Sequence, residues 1–144
     1  MKKLLLCMCL VGLMLNAKDK VVDYTKAESW VNLEKYLVDA KGKKIKDLDL
    51  ASKDYFMVYF SASWCPPCRK FTPTLVEYYN KHAKEDNFEL IFYTSDRSEK
   101  ASEKYMQDYK MTWPTVKFKK MKYTDLKKFG GAGIPRLVLI DKEG

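Results

Sequence analysis

The chain has 144 residues, of which 47% are hydrophobic and 14% aromatic, enough to bury the core of a single domain. Basic residues outnumber acidic ones by 27 to 19, so the formal net charge is +8. The lysines are spread among acidic residues and no recognition motif accompanies them, which argues against nucleic-acid binding and for solvated surface. A mild preference for acidic partner surfaces is the binding property that this charge leaves open.

Residues 1–17 form a separate unit. Lys2 and Lys3 precede twelve apolar residues, Leu4 to Leu15, and the small residue Ala17 follows. This order is typical of a secretory signal peptide, and the apolar run is too short to span a bilayer. We therefore expect an exported protein, periplasmic or secreted, with no stable membrane anchor after cleavage. If residues 1–17 are instead a buried N-terminal strand or helix, the protein would be cytoplasmic.

Residues 18–54 are expected to form an N-terminal extension with a helix and short strands. Apolar residues recur at three- and four-residue spacing between Glu28 and Val38, which predicts a helix leading into a strand. A turn is predicted around Gly42 and a short edge element from Ile45 to Leu50. The main domain is predicted to occupy residues 55–144.

The first strand and helix of this domain flank a Cys-x-x-Cys motif. Tyr55 to Phe60 is a continuous apolar run, typical of a central strand buried on both faces. A helix is predicted from the motif to about His82, with Pro73 inside it. His82 is the one histidine of the chain, and its place at the helix end favours a surface or capping role over that of a catalytic base.

A second strand, helix and strand follow in the sequence. Phe88 to Tyr93 predicts the strand, and residues 98–110 predict a helix capped by Ser98. This alternation implies a parallel crossover. Leu137 to Ile140 is the last apolar run, and Pro135 stands just before it, where a cis peptide bond is expected.

The motif itself is Trp64-Cys65-Pro66-Pro67-Cys68. A cysteine at a helix N-terminus lies near unpaired backbone N–H groups and the positive end of the helix dipole, which should lower its pKa. Cys65 is therefore predicted to attack a disulfide, and Cys68 to resolve the mixed disulfide that forms. Pro66 and Pro67 should stiffen the turn into the helix.

Two structural roles compete with this redox interpretation. A zinc site would need four ligands, and after signal cleavage Cys65, Cys68 and His82 are the three Cys and His side chains that remain, so no metal is expected. A static disulfide between Cys65 and Cys68 would close a very short loop and stabilise little. A single Cys-x-x-Cys in an exported protein therefore suits a redox catalyst better than a disulfide scaffold.

The ordered set of motifs resembles the thioredoxin fold, and within it the tryparedoxin and nucleoredoxin branch. Trp-Cys-x-x-Cys follows a buried strand, Pro73 lies five residues past Cys68, and Ile134-Pro135 precedes a later strand. The resemblance extends from about Tyr55 to Asp141. It implies an α/β fold with a central mixed sheet flanked by helices, truncated before the last strand and C-terminal helix.

The resemblance also implies the roles of the site residues. Pro135, in cis, would face the cysteines and help to align an extended partner, which the backbone beside it could bind by strand addition. Trp64 would shield the cysteine pair. Tyr59 stands where ordinary thioredoxins carry a buried aspartate, so no carboxylate base is named. The supporting residues are expected to be Trp64, Pro66, Pro67, Arg69, Tyr59, Ile134 and Pro135.

The function implied is thiol–disulfide exchange with protein substrates, in the direction of reduction. It needs no metal or organic cofactor, but a reductase requires a thiol electron donor, which the sequence does not identify. We expect a monomer. The alternatives are a disulfide-forming oxidase or isomerase, which would share the motif and differ in potential, and a non-catalytic module that holds a client while the cysteines are idle.

Overall fold

The structure is a computed structural model that describes residues 32–141. The predicted signal peptide, the start of the predicted N-terminal helix and residues 142–144 lie outside the described residues. Within the described range no helix is long and apolar enough to cross a membrane.

A five-stranded mixed sheet forms the centre of the fold, in the order β1-β4-β3-β2-β5. Strands β2, β3 and β4 run parallel, whereas β1 and β5 are antiparallel to their neighbours. The central position predicted for the first apolar run is confirmed, because β2 pairs with β3 on one side and β5 on the other. The strands are β1 (Leu37–Val38), β2 (Tyr55–Ser61), β3 (Phe88–Thr94), β4 (Thr115–Val116) and β5 (Arg136–Asp141).

Two α-helices connect the parallel strands, and both are where the sequence predicts them. Helix α1 (Pro66–His82) joins β2 to β3 and contains Pro73. Helix α2 (Glu99–Asp108) joins β3 to β4, and the Ser98 side chain caps it by accepting a hydrogen bond from the N–H of Ala101. Two short 3-10 helices, Phe118–Tyr123 and Leu126–Phe129, lie between β4 and β5.

The core has two parts because successive side chains of a strand point to opposite faces of the sheet. On one face, Tyr59 of β2 packs in a cluster with Leu75 of α1 and Tyr105 of α2. On the other face, Phe60 of β2 packs in a cluster with Leu126 of the second 3-10 helix. Both α-helices therefore cover one face, and the chain from β4 to β5 covers the other.

The prediction of a short edge element from Ile45 to Leu50 is wrong. Residues 45–50 form no strand, and the nearby pairing is a single bridge between Val38 and Lys44. Asp47 has a φ of 59°, in the left-handed region, so the chain cannot continue in an extended conformation. Leu50 is fully buried, so this segment reaches the core as irregular chain.

Candidate active site

The cysteine pair lies where the carboxyl end of β2 passes into α1. Cys65 is the N-cap of this helix, and Pro66 and Pro67 occupy its first two positions. Cys65 and Cys68 form a disulfide with their Cα atoms 5.2 Å apart. The backbone N–H of Cys68 points at Cys65 Sγ, with a donor–sulfur distance of 3.3 Å. The same N–H would stabilise a Cys65 thiolate once the disulfide is reduced.

Both cysteines are buried in the disulfide form, and Cys65 is the less completely enclosed of the two. Cys65 keeps 3% of its surface exposed, and Cys68 keeps none. Cys68 is enclosed by Ala62, Cys65 and Ile134. A disulfide partner can therefore reach Cys65 first.

A cis peptide bond joins Ile134 to Pro135, as the sequence predicts. The carbonyl oxygen of Ile134 lies 3.8 Å from Cys65 Sγ. Pro135 immediately precedes β5, so the sheet holds this backbone segment beside the cysteine pair. The structure thus brings Ile134 and Pro135 next to Cys65, which precedes them by 69 and 70 positions in the sequence.

A groove of about 350 Å³ runs beside the cysteine pair. Trp64 forms one side of it, is 59% exposed, and donates a hydrogen bond from Nε1 to the Ser95 carbonyl at 3.3 Å. The glycine-rich chain 130–134 forms the other side, and Phe60 and Tyr93 also line it. Lys127 is the charged residue among the lining side chains.

Asp96 is a site residue that the sequence analysis missed. It is buried, and its Oδ1 accepts hydrogen bonds from the N–H and hydroxyl of Ser63 at 3.0 and 2.7 Å. Its Oδ2 accepts from the Thr94 hydroxyl at 3.0 Å. Asp96 thereby fastens the loop that carries Cys65 to the carboxyl end of β3. The signal in the sequence is an acidic residue directly after a buried strand.

A chain of buried hydroxyl groups lies beneath Cys68. The Tyr59 hydroxyl is 2.9 Å from Thr72 Oγ1, which is 2.6 Å from the Tyr105 hydroxyl, and that hydroxyl is 3.1 Å from Ser61 Oγ. Thr72 Oγ1 donates to the Cys68 carbonyl at 2.9 Å. Burial raises the pKa of Tyr105 to about 12, partly offset by the hydrogen bonds of Ser61 and Thr72. Tyr105 therefore stays protonated near neutral pH.

Two other predicted residues contribute no side chain to the cysteine pair. Arg69 directly follows Cys68 on α1; its side chain is exposed, and its backbone N–H donates to the Cys65 carbonyl. His82 ends a helix of 17 residues, so it lies about 25 Å from the cysteine end. Its Nδ1 is 3.6 Å from a carboxylate oxygen of Asp86. Within residues 32–141 no group of three His, Cys, Asp or Glu side chains could hold a metal ion.

A redox-capable cysteine pair at a helix start, with the less buried cysteine beside a cis-proline, is the arrangement of a thiol–disulfide oxidoreductase domain of the thioredoxin fold. Sequence comparison agrees with this class. The thioredoxin-like family model matches residues 53–144, and the chain belongs to this family.

The relatives lie in the predicted tryparedoxin and nucleoredoxin branch. Probable nucleoredoxin 1 of Arabidopsis thaliana is 43% identical over 112 residues, which cover 76% of this chain and 19% of that protein. Tryparedoxin of Trypanosoma brucei brucei is 39% identical over 118 residues, which cover 77% of this chain and 80% of that protein. The chain therefore spans about a fifth of the nucleoredoxin and most of the tryparedoxin.

Solved structures of similar proteins share the fold. A thioredoxin from Wuchereria bancrofti has a TM-score of 0.66 at 41% identity and covers 75% of this chain and 76% of its own. A tryparedoxin II complexed with glutathionylspermidine has a TM-score of 0.63 at 31% identity, over 75% of this chain and 74% of its own.

Proposed function

We propose that this domain reduces disulfides in protein substrates through Cys65 and Cys68. The observation that carries the proposal is the position of Cys65. It is the less buried cysteine, its Sγ lies 3.8 Å from the carbonyl oxygen of Ile134 at the cis peptide bond, and its neighbour Trp64 lines the groove. An extended segment in this groove could pair with the backbone beside Pro135 and bring its disulfide to Cys65.

The exchange occurs in two steps. The Cys65 thiolate attacks one sulfur of the substrate disulfide, forming a mixed disulfide and releasing the other substrate sulfur as a thiolate. Cys68, as thiolate, then attacks Cys65 Sγ, which forms the Cys65–Cys68 disulfide and releases the second substrate sulfur. The substrate gains two electrons and the domain loses two. A dithiol donor must reduce the domain again before the next turnover.

A low-molecular-weight disulfide is a second candidate substrate. The structure of a related tryparedoxin II was determined in complex with glutathionylspermidine. The groove here has a volume of about 350 Å³, within the range of small-molecule sites. Comparing turnover of a protein disulfide with that of glutathione disulfide distinguishes the two substrate classes.

The two cysteines give the first test, with insulin as the protein disulfide and dithiothreitol as the donor. We expect both Cys65→Ser and Cys68→Ser to lose turnover, because each removes one step of the exchange. In a separate incubation of the pre-reduced variants with insulin and no dithiothreitol, Cys68→Ser should accumulate a mixed disulfide, since Cys65 still attacks but no thiol releases it. Mass spectrometry under non-reducing conditions detects this adduct.

The pattern of the two variants decides between catalysis and client binding. Cys65→Ser should form no adduct. A Cys65→Ser variant with full insulin turnover would contradict the proposed reaction. Unchanged client binding by both variants, without turnover by the unmodified protein, would favour the non-catalytic module.

A further inference from the structure

The positive charge is not evenly spread along the chain. Residues 117–128, here called the lysine segment, contain six lysines and one aspartate, a net charge of +5. The rest of the chain carries +3 of the total +8. All six lysines of the segment are exposed. Most of the excess charge of the protein is therefore presented by twelve consecutive residues.

The lysine segment is fixed against the sheet. Leu126 is fully buried and Thr124 nearly so, and both belong to the segment. Met121 and Leu126 pack in the same cluster as Phe60 and Tyr93, two residues that line the groove. The lysines are thus held on a packed scaffold next to the groove, and substrate binding need not order a flexible tail.

The segment ends at the groove itself. Lys127 lines the groove, and its carbonyl accepts a hydrogen bond from the N–H of Gly130, which begins the glycine-rich wall. Lys122 precedes Lys127 by five residues, so at most about 18 Å of chain separates them. The Lys122 charge therefore lies within roughly two Debye lengths of Lys127 at physiological salt.

A second cation, Arg136, contacts the glycine-rich wall. Arg136 follows Pro135, and its Nε donates a hydrogen bond to the Phe129 carbonyl at 2.8 Å. A Cβ on Gly131 would lie 3.0 Å from a guanidinium nitrogen of Arg136, so the guanidinium rests directly on this wall. Lys127 lines the groove and Arg136 contacts its glycine-rich wall, so both place positive charge at or next to the groove.

Most of this charge is not neutralised within the described protein. Across residues 32–141, the amines of Lys117, Lys119, Lys120, Lys122 and Lys127 have no carboxylate within 4.0 Å. Lys120 and Lys122 lie over the ring of Tyr123, with Nζ 5.3 and 5.0 Å from its centroid. Such contacts orient an ammonium group without cancelling its charge. The acid nearest the cysteine loop, Asp96, is buried and occupied by Ser63 and Thr94.

We propose that the groove and the lysine segment together bind an extended acidic segment of the protein substrate, adjacent to the disulfide that is reduced. This inference rests on the proposed reductase function and names the substrate class that it prefers. Charge complementarity favours an acidic occupant, and the chemistry at Cys65 requires that the occupant carry a disulfide. The two requirements together point to a protein rather than a nucleic acid.

The test uses three synthetic peptides of about ten residues, each with the same intrachain disulfide and flanked by Glu, Gln or Lys. The reduced protein is mixed with each peptide, and the second-order rate of its oxidation is followed by tryptophan fluorescence, since Trp64 adjoins Cys65. At low ionic strength we expect the acidic peptide to react about tenfold faster than the neutral one, with the basic peptide slowest. At high salt the three rates should approach one another.

Matched variants locate the effect. Lys122→Ala with Lys127→Ala removes two positive charges of the lysine segment, and Lys81→Ala with Lys84→Ala removes two near the far end of α1. The first pair should reduce the ratio of acidic to neutral rates to about threefold or less, whereas the second pair should leave it near tenfold. Equal losses in both pairs would show an effect of net charge alone and would contradict a local binding surface.

The outcomes separate this inference from the function on which it rests. If no peptide disulfide oxidises the reduced protein, the proposed function fails. If the neutral peptide reacts and the acidic one reacts no faster at low salt, the function stands and the acidic preference is wrong. Competition by single-stranded DNA that is stronger than competition by a reduced acidic peptide would assign the lysine segment to nucleic acid and would also overturn the inference.

Discussion

Tyr59 places a phenol hydroxyl beneath Cys68 at the position where ordinary thioredoxins carry a carboxylate. Its hydroxyl is hydrogen-bonded to the Thr72 hydroxyl, which is hydrogen-bonded to the Tyr105 hydroxyl and donates to the Cys68 carbonyl. All of these residues are buried, and burial raises the pKa of Tyr105. Tyr105 therefore stays protonated at neutral pH, and the hydrogen bond from Thr72 to the Cys68 carbonyl orients the first turn of α1.

We expect Tyr105 to make folding stability depend on pH in the alkaline range. Its pKa is raised from 10.0 to about 12 in the folded protein. As pH rises above 10, the unfolded chain loses this proton first, so the free energy of unfolding decreases until pH reaches about 12. A pKa difference of this size corresponds to roughly 2 to 3 kcal/mol. Urea unfolding at a series of pH values measures the decrease.

Tyr105→Phe isolates this contribution from the deprotonation of lysines. The variant should lose about 1 kcal/mol below pH 10, because the hydrogen bonds to Ser61 and Thr72 are removed. Its stability should then decline less steeply with pH than that of the unmodified protein. Tyr78→Phe, at an exposed tyrosine, is the control and should leave the slope unchanged. Parallel slopes for Tyr105→Phe and the unmodified protein would contradict the expectation.

At the level of secondary-structure elements, the active site depends on how two loops are joined. The loop after β2 carries Ser63 and Cys65, and the loop after β3 carries Ser95 and Asp96. The Asp96 carboxylate accepts hydrogen bonds from the N–H and the hydroxyl of Ser63, and the Ser95 carbonyl accepts one from the indole N–H of Trp64. Because β2 and β3 are parallel, both loops leave the same edge of the sheet.

Asp96→Ala should weaken both the fold and the reaction. It leaves the N–H and hydroxyl of Ser63 without their acceptor, which should cost about 1 to 3 kcal/mol in the free energy of unfolding. The looser loop should also slow the attack of Cys65 by about tenfold or more, since a small misplacement of a reacting group is costly. Urea unfolding and single-turnover oxidation by a peptide disulfide measure the two effects.

Two further variants show whether Asp96 acts by positioning. Asp96→Asn keeps an acceptor for Ser63 and should recover most of the rate. Asp108→Ala removes an exposed carboxylate that pairs with Lys104, and it should cost no more than about 1 kcal/mol with no change in rate. An Asp96→Ala variant with the normal rate but reduced stability would limit Asp96 to a structural role.

The elements that carry a strong local sequence signal could be predicted from the sequence. The strand β2 is a continuous apolar run, β3 is an apolar run interrupted by Glu89, α1 begins at a proline pair, and the start of α2 has a serine cap. The 3-10 helices between β4 and β5 lack such a signal, because their burial depends on contacts with Phe60 and Tyr93, which are distant in the sequence. For the same reason Asp96 was missed, since its partner Ser63 precedes it by 33 residues.

At the scale of the whole molecule, the direction of electron flow depends on the relative stability of its two redox states. Strong oxidants of this fold owe their high potential to a reduced form that is stabilised. Among the described hydrogen bonds, the Cys68 N–H is the donor to Cys65 Sγ, and the Ile134 carbonyl oxygen faces the same sulfur. One backbone donor opposed by a carbonyl dipole stabilises a thiolate only modestly.

We therefore expect a reducing potential, between about −270 and −230 mV, and an oxidised form that is at least as stable as the reduced form. Equilibration with dithiothreitol and glutathione buffers, followed by alkylation of free thiols and mass measurement, gives the potential. Urea unfolding of each redox form gives the second quantity independently. A potential near −120 mV would differ by about 5 kcal/mol from the upper end of the expected range, which both methods resolve. That value, together with a reduced form more stable than the oxidised one, would make the protein a disulfide-forming oxidase.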